Sequence, residues 1–294
     1  MNDDRHGSAN GYRSNGIATA ALVFGVLALC GGLTAIPAII CGVIGVRRAG
    51  RRGGAGRGKA RVGLALGVIM AIVAPAVLVP GIDRIHDNAT RARSVNNVKQ
   101  ILLGAAAYND EHNKFPTPYV RPPAGQSAPA DPAGRLSWRV SLLPYIEQGS
   151  LYKQIRLDEA WDGPANGPLT NRRIPTYQDP ARAGPEPDNQ TPYRVFVGAG
   201  AFFDEAKPRR SFANVVDGNV ILLVEAAQTV PWAQYNELPF TSDGPLPPLG
   251  APHRDVFLVG MIDGSARWIK KSVSPEMLRA AITPDGGEPI AIDW

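Results

Sequence analysis

The sequence predicts an α+β chain: a two-helix transmembrane hairpin, then a domain with one long helix packed on an antiparallel sheet. Three observations carry that reading. Two uncharged apolar runs, residues 17–46 and 62–82, flank a short basic linker. An amphipathic stretch follows at once, over residues 82–113. Strand-like segments come only afterwards and close on an Asp-Gly hairpin, and a single helix ahead of antiparallel strands is an α+β order.

The apolar runs hold 30 and 21 residues, against the ~20 that an α-helix needs to cross a hydrocarbon core. They lack strand alternation, and only a helix or a closed barrel satisfies its backbone in lipid. A buried hairpin of a water-soluble protein would show a polar face. A cleaved signal peptide would carry its charge ahead of a shorter apolar stretch, whereas here the arginines follow the first run. Residues 1–16 read as a disordered tail in which Asp3, Asp4, Arg5 and Arg13 cancel.

Between the runs, residues 47–61 carry Arg47, Arg48, Arg51, Arg52, Arg57, Lys59 and Arg61, seven positive charges and no negative one. The chain's net charge of +5 therefore sits in the linker, and everything from Val62 onward is mildly acidic. That distribution argues against nucleic acid as a partner, because the basicity is one juxtamembrane cluster rather than a domain surface. Lys and Arg collect in cytoplasmic loops, so the linker is expected in the cytoplasm and residues 82–294 outside it. The expected location is the cytoplasmic (inner) membrane, crossed twice, with the lipid bilayer as the first partner.

Small residues recur at four-residue spacing in both runs, Ala38 with Gly42 and Gly63 with Gly67. Such pairs share one helix face and let backbones approach closely. Cys30 and Cys41 are eleven residues apart, ~16 Å along one helix and too far for an internal disulfide. The domain beyond Ile82 has no cysteine and must stand on its own core.

Pro75 and Pro80-Gly81 predict a break or kink late in the second run. Beyond them Ile82, Ile85, Ala89, Ala92, Val95, Val98, Leu102 and Ala105 recur every three or four residues, the mark of an amphipathic helix. Residues 116–134, rich in proline, glycine and alanine, read as an exposed loop. Residues 137–155 look helical but are broken at Pro144 and Gly149. Strands are expected over 193–198, 220–226, 256–262 and 265–269, the last two joined by the turn Asp263-Gly264. Ser274-Pro275-Glu276 supplies an N-cap, a first-turn proline and an acid, so a short helix should close the chain.

Several of these segments resemble a large bacterial family of pilin-like proteins of unknown function, relatives of the general secretion pathway G pseudopilins that carry a prepilin-type cleavage and methylation segment. The motifs are PAVLVPGIDRIHDNATRARSVNNVKQILLGAAAYNDEHNKFP from Pro75, SWRVSLLPYIEQGSLY from Ser137, and AWDGPANGPL from Ala160. TPYRVFVGAGAFF follows from Thr191, FANVVDGNVILLVEAAQTVPW from Phe212, FLVGMIDGSARWI from Phe257 and DGGEPI from Asp285. The resemblance implies a pilin-like fold over residues 82–294 and, as partners, envelope or secretion-system proteins. NGIATAALVFGVLAL, IPAIICGVIGVRR and GKARVGLALGVI resemble instead a small two-helix membrane hairpin domain of unknown function. Two departures follow. No acidic residue occurs between Gly16 and Ile82, so the leader chemistry of prepilins is missing, and the hairpin takes its place as a permanent anchor. The family's longer Asp-Gly-Thr-Ser-Asn-Thr turn is reduced here to Asp217-Gly218-Asn219-Val220.

Chemistry is sparse. His6, His86, His112 and His253 fall in no metal-ligand spacing, and neither a G-x-S-x-G elbow nor a phosphate-binding loop occurs. Glu225 sits inside an apolar strand, where a carboxylate needs a partner or a shifted pKa. With Asp217, Asp263 and Glu288 it could form an acidic set for calcium or acid–base work. The simpler reading makes the two aspartates turn formers and pairs Glu225 with an arginine such as Arg194 or Arg267. Trp138, Tyr145, Tyr152, Trp161, Trp232 and Trp268 are candidates for a sugar- or peptide-binding surface, or else for core. No cofactor is expected. The sequence thus points to a membrane-anchored extracytoplasmic structural or interaction protein of the envelope without catalysis. A ligand-binding module is the alternative, and an envelope hydrolase using the acidic residues comes third.

Overall fold

The computed structural model describes residues 16–27, 35–51, 57–182, 189–207, 209–212 and 218–284. It is a mixed helical and antiparallel-sheet structure, and the chain divides into two compact units, Met1–Asp87 and Asn88–Trp294. The first unit holds α1 (Gly16–Leu27), α2 (Ala35–Arg51) and the opening part of α3 (Arg57–His112).

The first apolar run is thus two helices rather than the single one expected over residues 17–46. The signal lies in Pro37, which falls in the first turn of α2, where a missing N–H breaks no hydrogen bond. At 12 and 17 residues, α1 and α2 are about 18 and 26 Å long. Among the described residues no helix is long and apolar enough to cross a membrane. The second run lies inside α3, which stays helical through Pro75 and Pro80; from position 74 to 86 only its backbone is described. The basic linker is mostly helical too, Arg47 to Arg51 closing α2 and Arg57 to Arg61 opening α3.

The second unit is organised by the end of α3. Val98, Leu102 and Ala105 are buried, as their spacing predicts, Ile101 joins them, and Ala89 and Ala92 of the same series are exposed. The helix α3 stops at His112 because Asn113 turns to a left-handed φ of 55°. The sheet has strand order β1-β3-β5-β6, with β1 (Gln190–Arg194), β3 (Ile221–Pro231), β5 (Val256–Met261) and β6 (Ala266–Lys270) antiparallel throughout. A small parallel pair, β2 (Phe196–Val197) with β4 (Leu238–Pro239), stands beside it. On β5 the side chains alternate between the two faces. Leu258 joins the core that contains α3, whereas Phe257, Val259 and Met261 join a second core with Leu278, Ala281 and Ile282. Those last three belong to α7 (Pro275–Ile282), whose cap is Ser274, accepting from the Met277 N–H at 3.2 Å. The Asp263-Gly264 turn joins β5 to β6 with Gly264 at φ 82°.

Between α3 and the sheet, residues 137–155 form single turns: α4 (Trp138–Ser141), a 3-10 turn at Leu143–Ile146 and α5 (Gly149–Tyr152). One more turn, α6 (Gly167–Thr170), follows. Pro144 enters the 3-10 turn near its start rather than merely breaking a helix. At Gly198, φ is +141° and an added Cβ would stand 2.1 Å from the Phe240 carbonyl oxygen, so only glycine fits where β2 ends and the chain turns.

Candidate functional site

The helical unit is packed on small residues. Ala21, Ala38 and Ala60 are fully buried, and Gly42, Gly63 and Gly67 are buried too. A Cβ on Gly63 would come within 2.3 Å of the Ala21 carbonyl oxygen, and one on Gly42 within 2.7 Å of Leu64 Cβ. The large aliphatic side chains point outward instead. Ile36, Ile40 and Ile44 line one face of α2 at 68, 53 and 46% exposure, and Ile72 on α3 reaches 69%. Arg47, Arg48, Arg57, Lys59 and Arg61 are exposed. The side chain of Arg51 and the whole of Arg52 lie outside the described residues.

In the second unit, Glu225 is fully buried on β3. Its Oε1 accepts from Arg254, from Arg182 Nη2 at 3.3 Å and from the Ala251 N–H at 3.0 Å, and its Oε2 accepts from the Leu258 N–H at 3.2 Å. Arg254 also holds buried Asp179 at 2.6 Å, and Asp179 takes a hydrogen bond from the Ser94 hydroxyl on α3. The guanidinium of Arg254 lies 5.1 Å from the Trp268 ring centroid. Burial and the neighbouring Asp179 raise the Glu225 pKa, against the pull of Arg254 and Arg182. Tyr193, opposite Glu225 on β1, is pushed well above the ordinary phenol value by burial and by the same two carboxylates.

Glu225 thus pairs with arginine as expected, but with Arg254 and Arg182 rather than Arg194 or Arg267, and the pleat explains why. Arg194 stands opposite Val224 and Arg267 opposite Val259, and both valines face the α7 core. Glu225 lies one residue from Val224, on the other face. Arg194 bonds Asn236 Oδ1 at 2.8 Å and the Glu237 carbonyl at 2.9 Å. Arg267 pairs with Asp263 at 3.1 Å, while Asp263 Oδ1 accepts from the Ser265 N–H to close its turn. Glu225 and Asp263 thus have separate roles, and Asp217 and Glu288 lie outside the described residues. Among the described residues no group of three or more His, Cys, Asp or Glu is placed to hold a metal ion.

A second buried ion pair had no signal in the sequence. Arg139, fully buried, pairs with Glu237 at 3.0 Å and donates to the carbonyls of Trp232, Tyr193 and Gln234 at 2.7, 2.8 and 3.1 Å. Glu237 in turn accepts from the Val195 N–H at 2.9 Å and from the Ser137 hydroxyl at 3.1 Å. The Ser-Trp-Arg segment at 137 is thereby fastened to β1 and to the residues after β3.

The six aromatic candidates do not share one face. Trp138 and Trp232 are core, while Trp161 and Trp268 are half-buried against it. Tyr145 and Tyr152 instead line a cleft of about 750 Å³ with Tyr108. The end of α3 supplies Tyr108, Glu111 and His112, spaced on one helix face, and the turns at 141–152 supply the opposite wall. The Tyr108 ring lies 4.2 Å from His112 and 5.7 Å from Tyr145, edge-on to the latter at 72°. The Tyr145 hydroxyl donates to Glu111 Oε2 at 2.7 Å and lies 3.1 Å from His112 Nε2. Burial, then the bond to Glu111, raises the Tyr145 pKa far above the phenol range, so the hydroxyl stays protonated. Lys114, Arg121 and Arg209 also line this cleft.

Residues 85–229 match the model of a family described as a protein of unknown function (DUF1559), a bacterial domain. The match takes in α3 from its midpoint, both ion-pair segments Ser137–Arg139 and Asp179–Arg182, and β1 with most of β3. It does not reach the N-terminal apolar runs, and the likeness to pseudopilins rests on the sequence motifs alone. No curated protein and no solved structure matches the chain.

Proposed function

We propose that the chain is a membrane-anchored protein of the cell envelope, holding its α+β unit outside the cytoplasm as a pilin-like structural or interaction module. One observation carries the reading: the helical unit buries alanine and glycine and exposes isoleucine and valine. That is the reverse of a water-soluble bundle. Small residues at helix contacts and aliphatic ones outside suit a lipid surround, and an apolar surface of that extent marks a membrane or protein contact. The cations at the start of α3 support it further. Arg57, Lys59 and Arg61 oppose the helix dipole there, an unfavourable placement that anionic headgroups would offset. The segment that would cross is the 21-residue uncharged run 62–82, of which only the backbone is described from position 74 on.

For the α+β unit, the four hydrogen bonds to Glu225 favour a structural carboxylate over a catalytic one. The test is topological. Alkaline phosphatase fused at Gly125 of the full chain should be active and the protein should resist carbonate extraction, while a fusion at Ala55 should be silent. Activity at Ala55 alone would overturn the orientation, and release by carbonate would overturn the anchor. A second reading, a ligand-binding module, is favoured by the tyrosine-walled cleft.

A further inference from the structure

We infer that the cleft between the end of α3 and the turns at 141–152 is a binding site for an acidic saccharide; this rests on the ligand-binding reading just given. At about 750 Å³ the cleft falls in the range of ligand sites. Charge sets the class of ligand. Lys114, Arg121 and Arg209 line it against a single carboxylate, Glu111, which is already engaged by the Tyr145 hydroxyl. Among the described residues none of the three cations has a carboxylate partner. Arg121 stands 5.9 Å from the Tyr119 ring, and Arg209 Nη1 makes only a 3.5 Å contact to the Tyr108 hydroxyl. Cations left without carboxylates beside a cavity suit a charged acceptor, and arginine takes a carboxylate in two parallel bonds.

The walls narrow the ligand further. Tyr108, Tyr145 and Tyr152 offer ring surface with hydroxyls at the edge, a mixture that suits the C–H face and hydroxyls of a sugar ring. A nucleobase sandwiched between two rings would need parallel faces. Tyr108 instead packs edge-on to Tyr145 at 72° and tilted at 46° to His112, so these rings are spent on one another and leave single faces. A purely apolar ligand would waste the cations.

The experiment titrates the full chain in detergent micelles with digalacturonate and with its neutral counterpart galactobiose, by calorimetry at low salt. Digalacturonate should bind about tenfold or more tighter than galactobiose. The double variant Arg121→Ala/Arg209→Ala should bring digalacturonate affinity down to that of galactobiose, and Tyr152→Ala should weaken both sugars. Each variant must retain the tryptophan-fluorescence melt of the parent. Equal affinity for the two sugars would overturn the acidic assignment and leave the ligand-binding reading standing. Binding of neither sugar by a normally folded chain would overturn both, whereas tighter binding of uridine monophosphate than of digalacturonate in the same titration would overturn the saccharide class alone.

Discussion

Replacing Arg254 with methionine takes away a guanidinium that touches two buried carboxylates at once. The side chains of Asp179 and Glu225 are 1 and 0% exposed, so neither can turn to water for its lost partner. Removing one member of a buried ion pair costs about 3–5 kcal/mol, because a charge is left uncompensated. Here the remaining donors pull the loss toward the lower end. Glu225 keeps Arg182 at 3.3 Å and the N–H groups of Ala251 and Leu258, and Asp179 keeps Ser94 and the Ala181 N–H at 3.0 Å. The lost contact with the Trp268 ring at 5.1 Å adds ~0.5–2 kcal/mol, and methionine refills most of the volume. The expected loss at neutral pH is therefore ~3–4 kcal/mol, or about 10 °C in melting temperature.

The reporter is convenient: the five tryptophans, at 138, 161, 232, 268 and 294, all belong to the unit beyond Asp87. Urea unfolding followed by tryptophan fluorescence thus reads that unit in the full chain. The deficit must also depend on pH. Glu225 already has a raised pKa from burial and from Asp179, and loss of Arg254 raises it further. A carboxyl with a raised folded pKa lends stability below its unfolded value, about 4.3, and loses it as pH climbs through the folded value. The deficit of the variant should accordingly shrink between pH 7 and pH 5. A loss under about 1 kcal/mol at pH 7, or one of the same size at both pH values, would refute the reasoning.

Other substitutions probe separate parts of the chain. Gly198→Ala should cost about 2 kcal/mol or more, since its Cβ would meet the Phe240 carbonyl at 2.1 Å; an unchanged urea midpoint would contradict that close approach. Glu237→Ala should destabilise by about 3 kcal/mol through the stranded Arg139, and Glu237→Gln by clearly less, both measured by the same fluorescence melt. In the helical unit, Gly63→Val should lower the thermal midpoint of the 222 nm circular dichroism signal, because its Cβ has 2.3 Å to the Ala21 backbone. Gly58→Ala, with nothing within 4 Å, should leave that midpoint equal or higher; the reverse ranking would argue against the close helix contact.

Much of the α+β order could be read along the chain. The three-and-four spacing of Val98, Leu102 and Ala105 placed the buried face at the end of α3, and Asp263-Gly264 placed the β5–β6 turn. Such features are local, since periodicity and turn chemistry act over a few residues. The division of the first apolar run was also written locally, in Pro37, but run length outweighed it. Arg182 and Arg254 carried no comparable mark. Both sit in loops, where no period points a side chain anywhere, and their meeting with a carboxylate on β3 is 43 and 29 residues away in sequence. The cleft was half visible: Tyr145 and Tyr152 stood among the aromatic candidates, but Tyr108 and the cations joined them only through folding.

The sequence by itself determined the order of elements, the placing of charge in one basic segment and the apolar, glycine-studded character of the N-terminal helices, because these depend on composition and short-range spacing. Tertiary structure alone decided which arginine met Glu225, which tryptophans became core and which tyrosines came to wall a cleft beside Lys114, Arg121 and Arg209. Those outcomes turn on strand register and on loops crossing the sheet. A one-residue change of register sends every side chain to the opposite face, and no local pattern in Arg194, Arg254 or Arg267 tells them apart.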